Sequence, residues 1–445
     1  METFDVVVVG ARCAGSPLAV MLARRGFSVC VVDKARFPSE TPSTHVIQPC
    51  GVAVLERIGA LDAVFAAGAV PIDRFTLVNE DVRIDGTLDP LVFPHAGLCV
   101  RRVTLDAALI EAATDSGAEM RTGVKVTELL TDGHRVVGIQ TDRGPIHAQL
   151  VVGADGRQSR IATASGAQEY LTTPGGRTAA WAYFDGVAER VGHLRLGRLG
   201  ECGYLASPTD SGLYMAGITT GAGFGPDRDG AFDAGIAGWP ELADLLAGAR
   251  RVGPIRSMAR WHGYFRQAAG PGWALIGDAG HFKDFTPAQG ISDALRQSAH
   301  FAEALPDDLA DHEAVDSATR RWWRWRDQDA RPMYWFAADM GVPGPSTPLV
   351  TAVLRHIAAD AGAIQTLLKV LNHEVGPRSL LTPRCLAGAT IRALRDHPVA
   401  AGKEIAGTIR DEVRRARWNR QPPPGLVYAG DPTQRTARVT GPDAS

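Results

Sequence analysis

The chain has 445 residues and carries 47 basic and 49 acidic side chains, which gives a formal net charge of −2 at pH 7. This balance argues against a nucleic-acid-binding protein, which would show an excess of Lys and Arg. Because 45% of the residues are hydrophobic and 22% are charged, the composition is that of a folded globular protein and excludes a disordered or fibrous chain.

The cysteines and the apolar segments bear on the location of the protein. Six cysteines are scattered along the chain, without a C-x-x-C pair and without a Cys/His cluster at zinc-like spacing. This pattern predicts no disulfide framework and no metal site, and it fits a reducing cytoplasm. Val6–Val9 is too short for the apolar core of a signal peptide, and no apolar run reaches the ~18 residues that span a bilayer. We therefore expect a cytoplasmic protein without a transmembrane segment.

The first predicted elements are a strand, a glycine turn, a helix and a second strand. Phe4–Val9 contains the continuous β-branched run Val6–Val9, typical of a strand buried on both faces, and it ends at Gly10. Apolar residues then recur at helical spacing over Leu18–Leu22, and a second buried strand, Ser28–Val32, leads into Asp33. The pattern predicts a βαβ unit.

This unit matches the fingerprint of dinucleotide-binding proteins. A glycine permits the tight turn, the helix N-terminus offers free N–H groups to a pyrophosphate, and an acidic residue after the second strand binds the ribose. Asp33 follows Gly10 by 23 residues, close to the expected spacing. Arg12 replaces the middle glycine, which leaves two alternatives. Either the arginine lies over the pyrophosphate and supplies charge, or the turn is an ordinary strand–helix connection that binds no dinucleotide.

Two later segments resemble the first in placing polar residues after a buried strand. The strand Ile146–Val152 is followed by Asp155-Gly156, and another short strand is followed by Gly277-Asp278. After a polar loop, Pro287–Gly290 precedes a helix with one apolar side. A helix that starts near Gly290 directs its positive end and free N–H groups at whatever lies before it.

With these three segments in this order, the sequence resembles the FAD-dependent monooxygenases of the p-hydroxybenzoate hydroxylase type, with their geranylgeranyl reductase and flavin halogenase relatives. The likeness covers about residues 1–305. It implies an α/β fold with a Rossmann-like FAD-binding domain of the glutathione reductase type, an inserted antiparallel β-sheet that binds the substrate, and a C-terminal helical region.

The resemblance also implies how the chain divides. The expected discontinuous FAD-binding domain comprises residues 1–72, 95–171 and 253–305. The expected substrate-binding sheet comprises residues 73–94 and 172–252, where strand-like runs are separated by Gly and Pro turns. Residues 306–420 are predicted to be helical, and residues 421–445 to be a poorly ordered tail.

Several tryptophans lie in the predicted helix Asp311–Ala338. Trp323-Arg324-Trp325 is similar to the start of the halogenase motif W-x-W-x-I-P, but Arg326 and Asp327 follow instead of Ile and Pro. An aromatic stripe that faces the core is therefore the favoured interpretation.

The resemblance assigns roles to individual residues around FAD. Asp33 would bind the adenosine ribose, Arg101 or Arg102 would lie along the phosphates or ribityl chain, and Val126 would lie near the adenine. Asp155 belongs to a segment that touches FAD and the visiting nicotinamide nucleotide, and Asp278 would accept hydrogen bonds from the ribityl hydroxyls. The full predicted cofactor-binding set is Gly10, Arg12, Ala14, Gly15, Asp33, Lys34, Arg36, His45, Arg101, Arg102, Val126, Asp155, Gly277, Asp278, Gly290 and Ile291.

The substrate and the proton chemistry have fewer candidates. Tyr183, Tyr204, Tyr214 and His262 are predicted to contact the substrate, with an ordinary packed or surface role as the alternative for each. His45 and His281 are the candidates for a proton relay, because imidazole changes charge near neutral pH, and the alternative is that each only hydrogen-bonds a loop. No catalytic base is assigned, since the flavin itself carries the oxygen chemistry.

The implied activity is NAD(P)H- and O2-dependent hydroxylation of an aromatic, polyketide-like or other secondary-metabolite substrate through a C4a-hydroperoxyflavin. NAD(P)H would dock transiently, because the sequence has no second dinucleotide fingerprint. Three alternatives stay open: a geranylgeranyl-reductase-like enzyme that reduces or dehydrogenates an apolar substrate, a flavin halogenase, and a nucleotide-binding protein without catalysis.

Overall fold

A computed structural model describes residues 2–420 of the chain. The predicted tail, residues 421–445, lies outside these described residues. Within residues 2–420, no helix has the length and apolar character needed to cross a membrane.

The structure combines twenty strands and thirteen α-helices within residues 2–420. The strands are β1 (Thr3–Val9), β2 (Val29–Asp33), β3 (Val46–Ile47), β4 (Arg74–Asn79), β5 (Val82–Thr87), β6 (Leu98–Cys99), β7 (Glu119–Thr122), β8 (Val126–Asp132), β9 (Arg135–Thr141), β10 (Gly144–Gly153), β11 (Glu169–Pro174), β12 (Thr178–Asp185), β13 (His193–Leu199), β14 (Cys202–Pro208), β15 (Tyr214–Thr220), β16 (Arg250–Met258), β17 (His262–Arg266), β18 (Ala269–Gly270), β19 (Trp273–Leu275) and β20 (His281–Phe282). The helices are α1 (Gly15–Arg24), α2 (Pro49–Ile58), α3 (Leu61–Ala66), α4 (Arg102–Asp115), α5 (Arg160–Ala164), α6 (Arg228–Ala237), α7 (Pro240–Leu246), α8 (Gly290–Ala304), α9 (His312–Met340), α10 (Pro348–Ala358), α11 (Ala361–Leu371), α12 (Pro383–Asp396) and α13 (Pro398–Asn419).

The first sheet has the order β18-β19-β10-β1-β2-β7, and β8 and β9 extend it through β10. Strands β19, β10, β1, β2 and β7 run parallel to one another, and β18 and β9 pair with β19 and β10 in antiparallel fashion. The apolar run predicted as the first strand is fully buried at Val6, Val7 and Val8, which confirms that prediction. Both faces are covered, because one cluster joins the sheet to α1, α4 and α8 and another joins it to β8, β9 and α5.

The parallel register brings the three predicted nucleotide segments to one edge. Val9 is the register partner of both Val32 and Gly153, and Gly153 is the partner of Leu275. Because parallel strands end at the same edge of a sheet, the turns that follow β1, β2, β10 and β19 lie side by side.

The second sheet has seven strands in the order β16-β12-β15-β14-β13-β4-β5. It is antiparallel except for β13 and β4, which pair in parallel. The segment 73–94 contributes β4 and β5 to one end of this sheet, and β16 at the other end continues it to Met258. Helices α6 and α7 cover one face, and the other face packs against α10 and α11.

The remaining helices follow in the C-terminal part of the described chain. Helix α9 runs from His312 to Met340 and confirms the predicted helix. Its residues Trp322 and Trp323 are buried in the core with α1 and α8, as the predicted aromatic stripe requires. Helix α12 lies within residues 306–420, which were predicted to be helical. Its buried side is formed by small residues such as Ala389 and Ala393, which give little hydrophobic signal of their own.

Candidate functional site

The edge where the parallel strands end opens into one cleft of about 710 Å³. This volume is within the ~300–1,000 Å³ usual for small-molecule sites. The structure brings most of the predicted cofactor residues together there. Those that line the cleft are Gly10, Arg12, Ala14, Asp33, Lys34, Arg102, Val126, Asp155, Gly277, Asp278, Gly290 and Ile291.

The first glycine turn is shaped by contacts that exclude a side chain. Gly10 has a φ of +110°, and a Cβ atom there would lie 2.3 Å from the carbonyl oxygen of Ala154. Gly15 does not line the cleft. A Cβ atom there would lie 1.8 Å from the carbonyl oxygen of Gly10. Its role is to let α1 approach the turn. No side chain caps the N-terminus of α1, so its free N–H groups suit an anion.

Asp33 is fixed by two backbone groups. Its carboxylate accepts hydrogen bonds from the N–H of Ala11 at 2.8 Å and from the N–H of Ala35 at 2.7 Å. The side chain is buried and borders the cleft. Because each carboxylate oxygen can accept a further bond, Asp33 is positioned to bind a ribose hydroxyl.

Arg12 and Arg102 share one buried carboxylate. Arg12 Nη1 lies 2.6 Å and Arg102 Nη2 lies 2.8 Å from oxygens of Asp106, which is fully buried. A second nitrogen of Arg12 donates to Ser39 Oγ at 2.8 Å. Two guanidinium groups on one carboxylate leave one excess positive charge beside the glycine turn. The structure therefore favours the first alternative for Arg12, in which the side chain supplies charge to a phosphate.

Asp155 organises the second nucleotide segment. Its carboxylate accepts hydrogen bonds from the Ser159 hydroxyl and from the backbone N–H of Arg160 at 2.6 Å. Burial raises the pKa of Asp155, although these hydrogen bonds oppose the shift. The carboxylate thus holds its own loop in shape, and the neighbouring Arg157 reaches the cleft and lies over the ring of Phe282.

Asp278 lies at the end of the third segment. Burial raises its pKa to about 6, and the nearby Arg157 and Arg102 oppose that shift. The preceding Gly277 has a φ of +56°, and a Cβ there would approach Ala14 to 2.9 Å. This close packing brings the third segment against the first turn.

Helix α8 begins at the cleft without a side-chain cap. Gln289 at its N-cap makes no capping hydrogen bond, and Gly290 has open space around its Cα. The free N–H groups and the positive end of the helix dipole therefore face the cleft. A flavin whose reduced ring carries negative charge fits this end.

A buried charged cluster lies behind that helix end. Lys283 Nζ lies 2.6 Å from Asp293 and 2.9 Å from the Gln289 amide oxygen, and His373 lies 2.9 Å from the other oxygen of Asp293. Although burial raises it, Lys283 and His373 together hold the pKa of Asp293 well below its usual range. The pairing of Asp293 with His373, eighty positions away, has no sequence signal.

The two candidate histidines have different surroundings. His281 lines the cleft, with Nδ1 3.5 Å from the Gln297 amide nitrogen and with a buried Nε2 that has no partner within residues 2–420. His45 does not line the cleft, and its Nε2 lies 2.7 Å from the hydroxyl of Tyr183. Burial lowers the pKa of each to about 3. Both rings are therefore neutral at physiological pH.

The structure does not bring Tyr204 and Tyr214 to the cleft. Both are buried on the face of the second sheet that α6 and α7 cover, where the Tyr204 hydroxyl donates to Gly235 and the Tyr214 hydroxyl contacts Arg195. Side chains along a strand alternate between the two faces of a sheet, and Tyr204 and Tyr214 occupy positions on the face that points away from the cleft. Tyr183 is on the opposite face, beside His45, but it does not line the cleft either.

Three other predicted residues also lie away from the cleft lining. His262 is exposed and lies 2.8 Å from Glu169. Arg101 pairs instead with the buried Asp210, at 2.7 Å. Arg36 packs beside Gly123.

Several residues that border the cleft were not predicted as site residues. Ala179, Trp181 and Met258 come from the second sheet and form its apolar wall. The alternation of side chains along β12 could have placed Trp181 on the same face as Tyr183. It could not have shown which face of the sheet borders the cleft. Further lining residues that were not predicted include Arg157, Phe282, Lys283, Asp284, Phe285 and Gln297.

Comparisons with known proteins agree with this geometry. Residues 3–193 match the family model described as FAD binding domain. A menaquinone reductase from Mycolicibacterium smegmatis is 30% identical over 318 residues, covering 68% of this chain and 76% of the relative. A 6-methylpretetramide 4-monooxygenase from Streptomyces rimosus is 27% identical, covering 66% of this chain and 73% of the relative.

Other similarities are more distant. A tryptophan 2-halogenase from Chondromyces crocatus is 24% identical over 71% of this chain, and the chain spans only 63% of its length. In structure, the chain is similar to a flavoprotein/dehydrogenase from Cytophaga hutchinsonii, with a TM-score of 0.71 and 18% identity over 88% of this chain and 98% of that one. At this identity the structural likeness shows the fold alone.

Proposed function

Because this chain belongs to the FAD-dependent monooxygenase family of the p-hydroxybenzoate hydroxylase type, we propose that it hydroxylates an aromatic, polyketide-like or other secondary-metabolite substrate with NAD(P)H and O2. FAD binding and oxidoreductase activity are properties of the family. The substrate class, the reductant and the use of oxygen are our proposal.

One observation carries this proposal: the nucleotide segments and an apolar wall share a single cleft. Gly10 and Asp33 lie with Ala179, Trp181 and Met258 in the lining of the same cavity. We propose the corresponding division of the chain, with FAD held by residues 1–72, 95–171 and 253–305. The substrate would contact the sheet formed within residues 73–94 and 172–252, together with the adjoining part of β16.

The residues around the cleft suit FAD in three places. Asp33 would hold the adenosine ribose, and Arg12 with Arg102 would neutralise the pyrophosphate. Asp278 would accept hydrogen bonds from the ribityl chain. The uncapped start of α8 would stabilise negative charge on the flavin ring. When bound, FAD supplies the hydride-accepting and oxygen-activating chemistry.

The side chains beyond the flavin edge would position the substrate and exclude water. Trp181, Met258 and Phe285 give an apolar lining, which suits a planar organic ring. His281 is buried and neutral, so its unpaired Nε2 would form a hydrogen bond with a ligand without carrying charge. An apolar lining of this kind excludes water and so limits side reactions of the activated oxygen with water.

The test is oxidation of NADH or NADPH by the FAD-loaded protein with candidate aromatic and polyketide substrates. Substrate-stimulated flavin reduction, followed by O2 consumption and a product heavier by one oxygen atom, is expected. Turnover that continues without O2, and no oxygen in the product, would contradict the proposal.

A second function is favoured by the menaquinone reductase relative, which has the highest identity of the long matches reported above. In this alternative the same cleft transfers hydride to an apolar substrate. The anaerobic arm of the assay separates the two functions, since only a reductase turns over without O2. We also propose a cytoplasmic location, supported by six free thiols in the structure.

A further inference from the structure

Exposed aliphatic side chains are concentrated in the C-terminal helices. Of the twelve large hydrophobic side chains that are exposed within residues 2–420, seven lie in a stretch of 33 residues. These are Leu381, Leu386, Ile391, Leu394, Val399, Ile409 and Val413. Apolar side chains that are exposed singly need no explanation, but a concentration of them on one element indicates a contact surface.

On α13 these side chains form a row. Val399, Ala406, Ile409 and Val413 are exposed, and their spacing of seven, three and four residues places them on one side of the helix. The side chains of Val399 and Ile409 are 70% and 61% exposed, so they make little contact with the rest of the chain.

The opposite side of α13 is already packed against the protein. Ala401 is fully buried, Glu404 accepts a hydrogen bond from the backbone N–H of Leu349 at 2.8 Å, and Trp418 stacks on Trp335. The exposed row is therefore the outer face of a docked helix, and the core of this chain does not need it.

The two helices that carry most of these side chains are basic, in a chain whose net charge is −2. Residues 383–420 contain nine basic side chains and four acidic ones. Four exposed basic residues border the apolar row on α13: Lys403, Arg410, Arg414 and Arg417. An apolar row with a basic border is the pattern of a helix that lies on an anionic membrane surface.

Other occupants fit this charge less well. In a symmetric dimer the same basic patch would face itself, which is repulsive. The segment 421–445 has two Asp and two Arg, so it offers no net negative charge to the basic border. A nucleic acid would satisfy the basic residues but not the apolar row at their centre.

We propose that α12 and α13 form a docking surface for an anionic lipid bilayer, on which the protein lies without crossing it. Ile409, Val413 and Val399 would enter the headgroup boundary, and Lys403, Arg410, Arg414 and Arg417 would contact the lipid phosphates. The inference goes beyond the proposed function and does not depend on it.

The test is co-sedimentation of the full-length, FAD-loaded protein with two kinds of vesicle, one of phosphatidylcholine alone and one of phosphatidylcholine mixed with phosphatidylglycerol. We expect binding to the anionic vesicles, at least tenfold weaker binding to the neutral ones, and a loss of binding as the salt concentration rises. The double substitution Ile409→Glu with Val413→Glu should reduce anionic binding at least tenfold.

The matched control is Leu91→Glu with Val191→Glu, which places two carboxylates on exposed aliphatic positions outside the C-terminal helices. It should bind like the wild type, and flavin absorbance should be unchanged in both double variants. The proposal is overturned if the Ile409/Val413 variant binds like the wild type, or if neutral vesicles bind equally well. It is also overturned if the wild type binds vesicles only after removal of residues 421–445. A wild type that is dimeric and does not bind vesicles, together with an Ile409/Val413 variant that is monomeric, would overturn it as well.

Discussion

The ammonium nitrogen of Lys283 lies 2.6 Å from Oδ2 of Asp293, and both side chains are buried behind the start of α8. The contact fixes the loop that follows the third nucleotide segment to the first turn of this helix. His373 contacts the same carboxylate from just after the end of α11, so a distant part of the chain joins the loop and the helix at one charge.

We predict that Lys283→Met destabilises the protein by roughly 3–5 kcal/mol, because it leaves a buried carboxylate with only a histidine partner. Urea unfolding at fixed FAD saturation measures the loss. Lys283→Met combined with Asp293→Asn is the control, since it removes the unpaired charge and should recover part of the stability. Equal losses in the single and double variants would show that the charge pair is not the cause.

Asp284 should make stability fall as pH rises. Burial raises the pKa of Asp284 from its usual value of 3.8 to about 6, so between these pH values the folded state binds more protons than the unfolded chain. The stability due to the protonated form is therefore present below pH 3.8 and lost as the pH rises through 6. We predict that Asp284→Asn is more stable than the wild type at pH 8, by on the order of 3 kcal/mol, and that the advantage disappears at pH 4.

Urea unfolding of both proteins across this pH range measures the effect. Asn can still accept the hydrogen bonds that the Thr286 N–H and hydroxyl donate to Asp284. A constant difference at all pH values would show that the carboxyl group does not titrate in this window.

Asp33 should control the affinity for FAD. Asp33→Ala removes a charged acceptor that two backbone N–H groups hold in place, which costs about 1.5–3 kcal/mol. We therefore predict a dissociation constant for FAD that rises ~10-fold to 100-fold, measured by flavin fluorescence. Asp5→Ala is the matched control, because Asp5 accepts a similar backbone bond from Ser28 at the other end of β1 and β2. Equal losses of FAD affinity in both variants would contradict a direct role for Asp33.

Substitutions of Tyr183 and Tyr204 should distinguish the roles of the two faces of the second sheet. Tyr183→Phe leaves Nε2 of His45 without its partner, and Tyr204→Phe leaves the carbonyl of Gly235 with only the backbone N–H of Gly238 as a donor. Each is expected to cost about 1–3 kcal/mol of stability. Only Tyr183→Phe should alter the rate of substrate-stimulated flavin reduction, since Tyr204 packs under α6 and α7. A similar rate change in both would contradict this assignment.

The glycine turn gives a stricter test of the cleft. Gly10→Ala forces a side chain into a space 2.3 Å from the Ala154 carbonyl oxygen and into a φ of +110°. We predict a loss of roughly 2–4 kcal/mol and of bound FAD. Gly388→Ala, in the exposed part of α12 where nothing lies within 4 Å, should keep the bound FAD and raise stability by up to about 1 kcal/mol. Retained flavin in Gly10→Ala would show that the turn tolerates displacement.

The sequence was sufficient for the parts of the fold that local patterns determine. A buried apolar run ending in glycine predicted β1, and the resemblance to the FAD-dependent monooxygenases implied that Gly10, Asp33 and Asp278 would surround one cofactor. The tyrosines could not be assigned in this way. Whether Tyr204 faces a ligand or a helix depends on strand parity and on which face α6 and α7 cover, and that covering is a tertiary contact.

The same limit applies to the charged groups. Arg101 and Arg102 are neighbours in sequence, yet one pairs with Asp210 and the other with Asp106. Asp210 lies more than a hundred residues from Arg101, so no spacing rule could have separated their roles. His373 contacts Asp293 from eighty residues away, so no spacing rule could have predicted that contact either.

Arg12 replaces the flexible middle glycine of the nucleotide turn with a side chain that carries a permanent positive charge. With Arg102 on the same carboxylate, the mouth of the cleft keeps a positive potential even before a ligand arrives. Retention of FAD should then depend on ionic strength. Dialysis against concentrated salt should remove FAD from this protein more readily than from a relative whose turn has glycine at that position.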